Sequence, residues 1–271
     1  MDEYLRANRE LWNARAKIHG KSQFYDLKGF IRGDQTLDSI EIQEVGDVSG
    51  KSLLHLMCHF GLDTLSWARL GAHVTGVDFS EEAIAMARKI SEEVGVPAKF
   101  VCTDIYDLNK VLEEEFDVVF TSGGVICWLP DLKEWARIVA QHVTPGGIFY
   151  IREFHPFSYI FDDETEDEHL CVRYPYFHSA EPMRFETAGS YACSEAELPK
   201  KEEFEWSHSV SNIMNALIDA GLIIEYFNEF PFTTWQALPF MKKHEDGRWR
   251  LPSNQDSVPF MFSLKARKPM G

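Results

Sequence analysis

Two short segments in the first third of the chain combine apolar residues with side chains that suit a nucleoside. Residues 55–61 read HLMCHFG and continue an apolar run, and residues 76–80 read GVDFS, with Asp78 at the end of a second run. An acid at the end of a strand can accept hydrogen bonds from both hydroxyls of a ribose. The two segments therefore predict a nucleoside-binding edge of a sheet.

A third segment, EFHP at residues 153–156, offers acid–base chemistry. Glu153 and His155 lie two residues apart at the end of another apolar run. Either side chain can take a proton from a hydroxyl, and we take His155 as the first candidate. The alternatives are a structural histidine fixed by Pro156 and a glutamate engaged in a cap or an ion pair.

The same residue types admit a metal site, which the spacing disfavours. On a strand the His55 side chain points away from its neighbours, and no fourth ligand accompanies His55, Cys58 and His59. Cys58 has no oriented base in the sequence, so burial explains it better than a nucleophilic role. The six acids within residues 162–168 are typical of a solvated loop. We therefore expect no metal.

Alternating strands and helices must position these residues. Apolar runs predict strands at 52–57, 74–77, 98–101, 117–121 and 147–151, and amphipathic stretches predict helices at 62–70, 80–94, 108–114 and 131–142. Such alternation predicts a parallel sheet covered on both faces. Ligands bind such a sheet at the carboxyl ends of its strands, which points to the segment that follows the first strand.

The flanking segments are expected to complete and cover this sheet. We predict a helix at 5–17, an irregular segment at 24–33, a helix at 37–45, an antiparallel hairpin from 170–176 and 183–192, a helix at 207–220, and strands at 222–230 and 258–266. The chain divides into an N-terminal helical arm (1–50), a core (51–153), an insertion (154–206) and the C-terminal part of the core sheet (207–271).

Composition excludes several classes of partner. The 271 residues contain 27 Lys and Arg against 43 Asp and Glu, and the net charge of −16 argues against nucleic acid and anionic membranes. Five cysteines without a Cys-x-x-Cys pair fit a reducing compartment. Residues 1–6 carry acids where a signal peptide is basic, and no apolar run is long enough to span a bilayer. We expect a cytoplasmic protein.

Together these segments resemble the class I methyltransferases that depend on S-adenosylmethionine (SAM). Residues 71–80 (GAHVTGVDFS) are similar to the second strand of that family, 102–105 (CTDI) to its adenine-contacting segment, 116–121 (FDVVFT) to its fourth strand and 142–147 (HVTPGG) to the turn before its fifth. All occur in the family's order, over roughly residues 51–153. The resemblance implies a Rossmann-like, doubly wound sheet of seven strands with the last strand, at 258–266, antiparallel.

The resemblance also implies SAM as the cofactor, S-adenosylhomocysteine as the product, and a set of binding residues. Asp78 should accept the ribose hydroxyls, and Asp104 the adenine amino group; the alternative for both acids is an ordinary capping and packing role. Phe79 and Ile105 should lie against the two faces of the adenine ring, and Thr121 and Ser122 should face the sulfonium. The remaining expected cofactor contacts are Met57, Cys58, His59, Gly61 and Ser80. In the arm, Trp12, His19 and Tyr25 are expected either to close over the cationic sulfonium as a lid or to pack in the core.

The first-strand loop departs from the family pattern of acid-x-Gly-x-Gly-x-Gly. His55 stands in place of the acid, Met57 and His59 stand in place of glycines, and only Gly61 is kept. A glycine serves where the backbone needs a positive φ or a close approach, so two side chains must be accommodated there. We expect His59 either to point at the methionine carboxylate of SAM or to pack within its loop.

We therefore expect an enzyme that transfers a methyl group by in-line displacement to a small-molecule acceptor. The alternatives are an NAD-dependent oxidoreductase, against which the missing Gly-x-Gly-x-x-Gly counts, and a non-catalytic SAM-binding protein. The insertion contributes five aromatic residues that suit either a substrate wall or the face of a homodimer: Tyr174, Tyr176, Phe177, Phe185 and Tyr191.

Overall fold

Eleven strands occur in the computed structural model, which describes residues 2–165, 168–187, 189–193 and 201–270. They are β1 (Ser52–Leu56), β2 (His73–Asp78), β3 (Lys99–Cys102), β4 (Phe116–Thr121), β5 (Val143–Phe154), β6 (Met183–Thr187), β7 (Lys201–Glu205), β8 (Ile223–Phe230), β9 (Lys242–Lys243), β10 (Trp249–Arg250) and β11 (Met261–Arg267). Seven of them form the central sheet, in the order β3-β2-β1-β4-β5-β11-β8.

The directions of the strands bring the carboxyl ends of several strands to one edge of this sheet. β1 runs parallel to β2 and β4, β2 parallel to β3, and β4 parallel to β5. β11 pairs antiparallel with both β5 and β8, which confirms the predicted antiparallel last strand. The carboxyl ends of β1, β2, β4 and β5 therefore meet at the same edge, where ligands bind in sheets of this kind.

Within the described ranges, seven helices accompany the sheet, together with short 3₁₀ turns at Ile105–Lys110, Ile126–Trp128 and Ser158–Ile160. The helices are α1 (Glu3–His19), α2 (Leu27–Arg32), α3 (Ser39–Val45), α4 (Leu62–Arg69), α5 (Glu81–Val94), α6 (Leu132–His142) and α7 (Val210–Asp219). None of the helices in the described ranges is both long and apolar enough to cross a bilayer.

Alternate residues of the strands face two different apolar layers, as the pleat requires. Leu53 and Phe120 pack with residues of α3 and α4 on one side of the sheet. Leu54 and Val119 pack on the other side with residues of α6 and α7. Helices therefore cover both faces, as the alternation of strand and helix predicts.

Three local predictions are wrong. Residues 27–32, predicted irregular, form α2, because six residues are too few to show a helical repeat. The predicted helix at 108–114 is instead the 3₁₀ turn Ile105–Lys110, which is capped by Asp104. An inserted hairpin is present, but β6 pairs with β7 rather than with residues 170–176, of which only Val172 makes an isolated bridge.

Candidate functional site

A cavity of about 1080 Å³ opens at the carboxyl ends of β1, β2, β4 and β5. This volume lies at the upper end of the roughly 300–1,000 Å³ of small-molecule sites. The predicted site residues that line it are Trp12, Tyr25, Met57, Cys58, His59, Gly61, Asp78, Phe79, Ser122 and Glu153. The other predicted residues, Ser80, Asp104, Ile105, Thr121 and His155, are not among its lining residues.

The loop after β1 has the backbone of a glycine-rich turn although it holds only one glycine. Met57 and His59 have φ of 56° and 51°, and Gly61 has φ of 77°. A non-glycine residue in this left-handed region costs on the order of 1–2 kcal/mol. A Cβ on Gly61 would lie only 2.7 Å from the ring of Phe100, so this position also requires the absence of a side chain.

Asp78 fixes this loop from the end of β2. Its Oδ2 accepts a hydrogen bond from the backbone N–H of His59 at 2.8 Å, and its Oδ1 accepts one from the N–H of Ser80 at 2.8 Å. Burial raises the pKa of Asp78 to about 6, and the backbone hydrogen bonds oppose that rise. The Ser80 side chain caps α5 by accepting a hydrogen bond from Ala83. A buried carboxylate therefore reaches the cavity from a rigid strand end.

The segment after β3 lies beside this strand end. The N–H of Thr103 donates to the carbonyl of Asp78 at 3.0 Å. Asp104 accepts a hydrogen bond from the N–H of Tyr106 at 3.1 Å, and burial raises the pKa of its carboxyl. Ile105 is buried in the main apolar cluster. Asp104 and Ile105 are thus adjacent to Asp78, although they do not line the cavity.

A group of aromatic and imidazole rings from three parts of the chain covers the loop after β1. His59 Nε2 lies 2.9 Å from His19 Nδ1, and His19 Nε2 lies 2.5 Å from Ser190 Oγ. Trp12 makes edge contacts with both imidazoles, and Tyr25 stacks on His19. Burial, and then the charge of Arg15, lowers the pKa of His19 to about 3, so the imidazole is neutral. We call the rings of Trp12, His19, Tyr25 and His59 the roof.

The other roof residues hold the His59 ring toward the N-terminal arm. The contact between His59 and His19 was not indicated by the sequence. Burial, and then the neighbouring His19, lowers the pKa of His59 well below its usual range. The expected contact between His59 and a carboxylate of SAM stays a prediction.

His55 links the end of β1 to the segment after β4. Its Nδ1 lies 2.8 Å from Thr64 Oγ1, and its Nε2 lies 3.2 Å from Ser122 Oγ. Burial lowers the pKa of His55 to about 4. A neutral imidazole therefore occupies the position where the resemblance expects an acid. Both ring nitrogens of His55 contact hydroxyl groups. Among the described residues, no group of three or more His, Cys, Asp or Glu side chains is arranged to hold a metal ion.

Glu153 organises the same post-β4 segment. Its carboxylate accepts backbone hydrogen bonds of 2.5–3.1 Å from Gly124, Val125, Ile126 and Phe154. Burial raises the pKa of Glu153, and these hydrogen bonds counteract the rise. The carboxylate oxygens are therefore committed to the backbone, which favours a positioning role over proton transfer.

His155 is oriented away from the cavity. Its Nε2 lies 2.9 Å from Glu229 Oε1, and its Nδ1 accepts a hydrogen bond from the N–H of Phe157. Its ring is buried against the edges of Phe227 and Phe262. A general-base role for His155 stays a prediction; its Nε2 lies beside the Glu229 carboxylate, and its Nδ1 is used by the N–H of Phe157.

Three charged residues that the sequence analysis did not single out complete the cavity wall. Arg15 of α1 binds both oxygens of Glu203 through its two terminal nitrogens, at 2.9 and 3.0 Å. Glu205, two residues further along β7, faces the same cavity. The alternation of Glu203, Phe204 and Glu205 was a visible signal for a strand with one acidic face. The partner in α1, 188 positions away, was not predictable from local sequence.

Comparison with known proteins finds a methyltransferase domain within the chain. The methyltransferase domain family matches residues 54–151. The ubiquinone biosynthesis O-methyltransferase of Proteus mirabilis (strain HI4320) is 32% identical over 130 residues, which cover 46% of this chain and 53% of that protein. The corresponding enzyme of Aeromonas salmonicida (strain A449) is 29% identical over 134 residues, covering 48% and 56%. The chain thus spans about half the length of the curated relatives that it matches.

Solved structures share the fold over more of the chain. A SAM-dependent methyltransferase from Mesorhizobium loti has a TM-score of 0.59 at 20% identity, covering 88% of this chain and 100% of that one. A second, from Clostridium acetobutylicum ATCC 824, has a TM-score of 0.58 at 15% identity, covering 96% and 99%. Residues 54–151 thus match the methyltransferase domain family, and the chain shares its fold with these SAM-dependent methyltransferases.

Proposed function

We propose that this protein transfers a methyl group from SAM to a small-molecule acceptor. The observation that carries the proposal is the junction of Asp78 with the left-handed loop of Met57, His59 and Gly61 at the wall of a large cavity. This junction provides a carboxylate for ribose hydroxyls and a backbone that a nucleoside can approach closely. The relatives named as O-methyltransferases of ubiquinone biosynthesis support a small acceptor.

The polar groups of the cavity fit SAM. The Nε of Arg15 is buried and has no hydrogen-bond partner in the described part of the chain, although both terminal nitrogens bind Glu203. A buried donor of this kind favours an anionic group, and the methionine carboxylate of SAM is one. The cavity is also large enough to hold a second molecule beside the nucleoside.

Each part of the site has a distinct task in this proposal. Asp78 holds the ribose, while Asp104 and Ile105 orient the adenine from the neighbouring strand end. Glu153 holds the post-β4 segment, including Ser122, against the reacting centre. The roof excludes water from it, which strengthens the electrostatic interactions inside. SAM, when bound, supplies a methyl group on a positively charged sulfur, so that positioning and desolvation provide much of the catalysis.

Calorimetric titration of the purified protein with SAM, S-adenosylhomocysteine and NAD tests the proposal. We expect SAM and S-adenosylhomocysteine to bind and NAD not to bind. Asp78→Asn should weaken SAM binding by about tenfold or more, since a charge-assisted hydrogen bond contributes roughly 1.5–3 kcal/mol. Asp117→Asn is the matched control, because Asp117 lies at the start of β4 and accepts a hydrogen bond from Ser52 instead.

The results separate the alternatives. Binding of NAD alone would support an oxidoreductase. If SAM, S-adenosylhomocysteine and NAD all failed to bind, the proposal would be overturned. SAM binding without methylation across a broad panel of phenols, amines and carboxylic acids would support a non-catalytic SAM-binding protein.

A further inference from the structure

The β6–β7 hairpin presents a mixed acidic and apolar face to the cavity. Its register sets Phe185 opposite Glu203 and Met183 opposite Glu205. All four side chains line the cavity, because alternate residues of a strand share a face. This face of the hairpin therefore adds two acidic groups, Glu203 and Glu205, to the cavity wall.

This acidic face lies next to the post-β4 segment. The N–H of Trp206, which follows β7, donates to the carbonyl of Cys127 at 2.8 Å. Burial raises the pKa of the Cys127 thiol, and the carboxylates of Glu205 and Glu153 raise it further. Glu205 is thus close to the segment that Glu153 holds in place, where the proposed function puts the reacting centre.

The charges of the cavity do not balance. Among the described lining residues, eleven are acidic, two are arginines and none is a lysine. Both arginines are already paired, Arg15 with Glu203 and Arg152 with Glu41. No basic side chain within the described ranges forms an ion pair with Glu205. Burial, and then the neighbouring Glu203, raises the pKa of Glu205 to about 8, which shows how poorly its negative charge is compensated.

Aromatic rings make up much of the same wall. Tyr159 lies near Cys127, Glu153 and Glu205, which add to the effect of burial in raising the pKa of its phenol. Further aromatic residues that line the cavity are Trp128, Phe154, Phe161, Tyr174, Phe185 and Trp206. Aromatic faces attract cations, and a ring wall beside an uncompensated carboxyl group disfavours an anionic ligand.

We propose that the methyl acceptor is an amine on an aromatic or other apolar body, bound as its ammonium between Glu205 and the rings of the wall. This inference rests on the proposed function, and it names the class of substrate. Among the described lining residues, Arg15 and Arg152 are ion-paired, and the proposed function gives the remaining Nε of Arg15 to SAM, so neither serves a carboxylate acceptor. A neutral hydroxyl acceptor would offer no cation to the ionised form of Glu205.

Glu205 has a second task if the acceptor is an amine. The nitrogen of an ammonium has no free lone pair and cannot act as a nucleophile. The ionised Glu205 accepts one proton from the ammonium, which leaves a neutral amine with its lone pair and a neutral carboxylic acid. A carboxyl group whose pKa is raised toward that of the amine is better suited to this transfer than an ordinary one.

Charge selectivity in the wild-type protein tests the inference without any variant. Three probes share one phenyl body: 2-phenylethylamine, 2-phenylethanol and 3-phenylpropionate. In calorimetric titrations of the protein saturated with S-adenosylhomocysteine, we expect the amine to bind more tightly than the alcohol, by about tenfold or more. The anion should bind most weakly. Equal or tighter binding of the alcohol or the anion would overturn the inference.

A variant then assigns the selectivity to Glu205. Glu205→Gln should remove about tenfold of the amine affinity and leave the alcohol unaffected. Glu202→Gln is the matched control, since Glu202 lies on the same strand in an exposed ion pair with Arg184. Normal binding of S-adenosylhomocysteine shows that the variant is folded, and it separates failure of this inference from failure of the proposed function.

The pH dependence of binding gives a readout that a merely structural glutamate would not change. The groups that face Glu205 are Glu203, Arg15, Asp163, Cys127 and Tyr159. Amine affinity should rise from about pH 6.5 to about pH 8.5 as Glu205 ionises. This rise should be absent in Glu205→Gln. An unchanged rise in that variant would show that another group binds the amine.

Discussion

The N–H of His59 donates a hydrogen bond of 2.8 Å to Asp78, and this bond joins the loop after β1 to the end of β2. It is formed while His59 has a φ of 51°, a conformation that costs a residue with a Cβ on the order of 1–2 kcal/mol. The same side chain contacts His19, Trp12 and Tyr25 of the arm. The contacts with the arm therefore accompany a strained backbone that a glycine would adopt freely.

Gly61→Ala should destabilise the protein by about 2–4 kcal/mol, because the new Cβ would add backbone strain to a clash with Phe100. Gly95→Ala is the matched control. Gly95 has a φ of +65° but no atom within 4 Å of the added Cβ, so only the strain of about 1–2 kcal/mol is expected. Urea unfolding of both variants measures the difference, and equal losses would show that Phe100 moves aside.

SAM affinity should fall as the pH is lowered through about 6. Burial raises the pKa of Asp78 to about 6, so its carboxyl becomes protonated in the free protein below that pH. A protonated carboxyl accepts fewer hydrogen bonds from ribose hydroxyls, and binding must first release the proton. Titrations between about pH 5 and pH 8 check this, with the Asp78→Asn variant as reference. An affinity that does not change with pH would mean that Asp78 does not hold the ribose.

The sequence predicted the sheet well because its strands are short apolar runs with distinct breaks. The runs that end at Asp78 and Thr121 correspond to β2 and β4, and the predicted antiparallel last strand is β11. The hairpin was assigned the wrong partner. Residues 170–176 are aromatic and apolar like a strand, whereas β7 (Lys201–Glu205) is mostly charged, so its β propensity is low.

The candidate site was predictable where a polar residue directly ends an apolar strand, as Asp78 does in β2. The site was not predictable where contacts between residues far apart in the sequence determine its geometry. The contact of His19 with His59 spans 40 positions, and the pair of Arg15 with Glu203 spans 188. The placement of His155 against Phe227 and Phe262 likewise depends on how β8 and β11 join the sheet.

Glu153→Gln should cost about 2–4 kcal/mol of stability and weaken SAM binding, although Glu153 makes no contact with the ribose in the proposed arrangement. Its carboxylate accepts four backbone N–H groups, and the amide of glutamine would turn a donor toward some of them. Glu134→Gln, in a surface ion pair with Arg137, should change stability by about 0.5 kcal/mol or less. If both variants unfold at the same urea concentration, Glu153 does not organise the post-β4 segment.

The roof should make the protein less stable in weak acid. Burial lowers the pKa of His19 from 6.5 to about 3, so between these values the unfolded chain binds a proton at this position and the folded protein does not. The free energy of unfolding therefore rises with pH across this window, and it declines as the pH falls below about 6.5. Thermal unfolding at several pH values between about 5 and 7 measures this slope.

Two variants isolate the part of this slope that His19 contributes, since acids such as Asp78, with a raised pKa, act in the opposite direction. His19→Gln removes the titrating group, so its melting temperature should fall less than that of the wild type between pH 7 and pH 5, despite a lower starting value. Ser190→Ala removes the partner of Nε2 but keeps the buried imidazole, so it should lower stability and retain the slope. If His19→Gln kept the full wild-type slope, the acid sensitivity would arise elsewhere. In that case His19 would be accessible to protons in the folded protein, and the roof would not exclude water from the cavity.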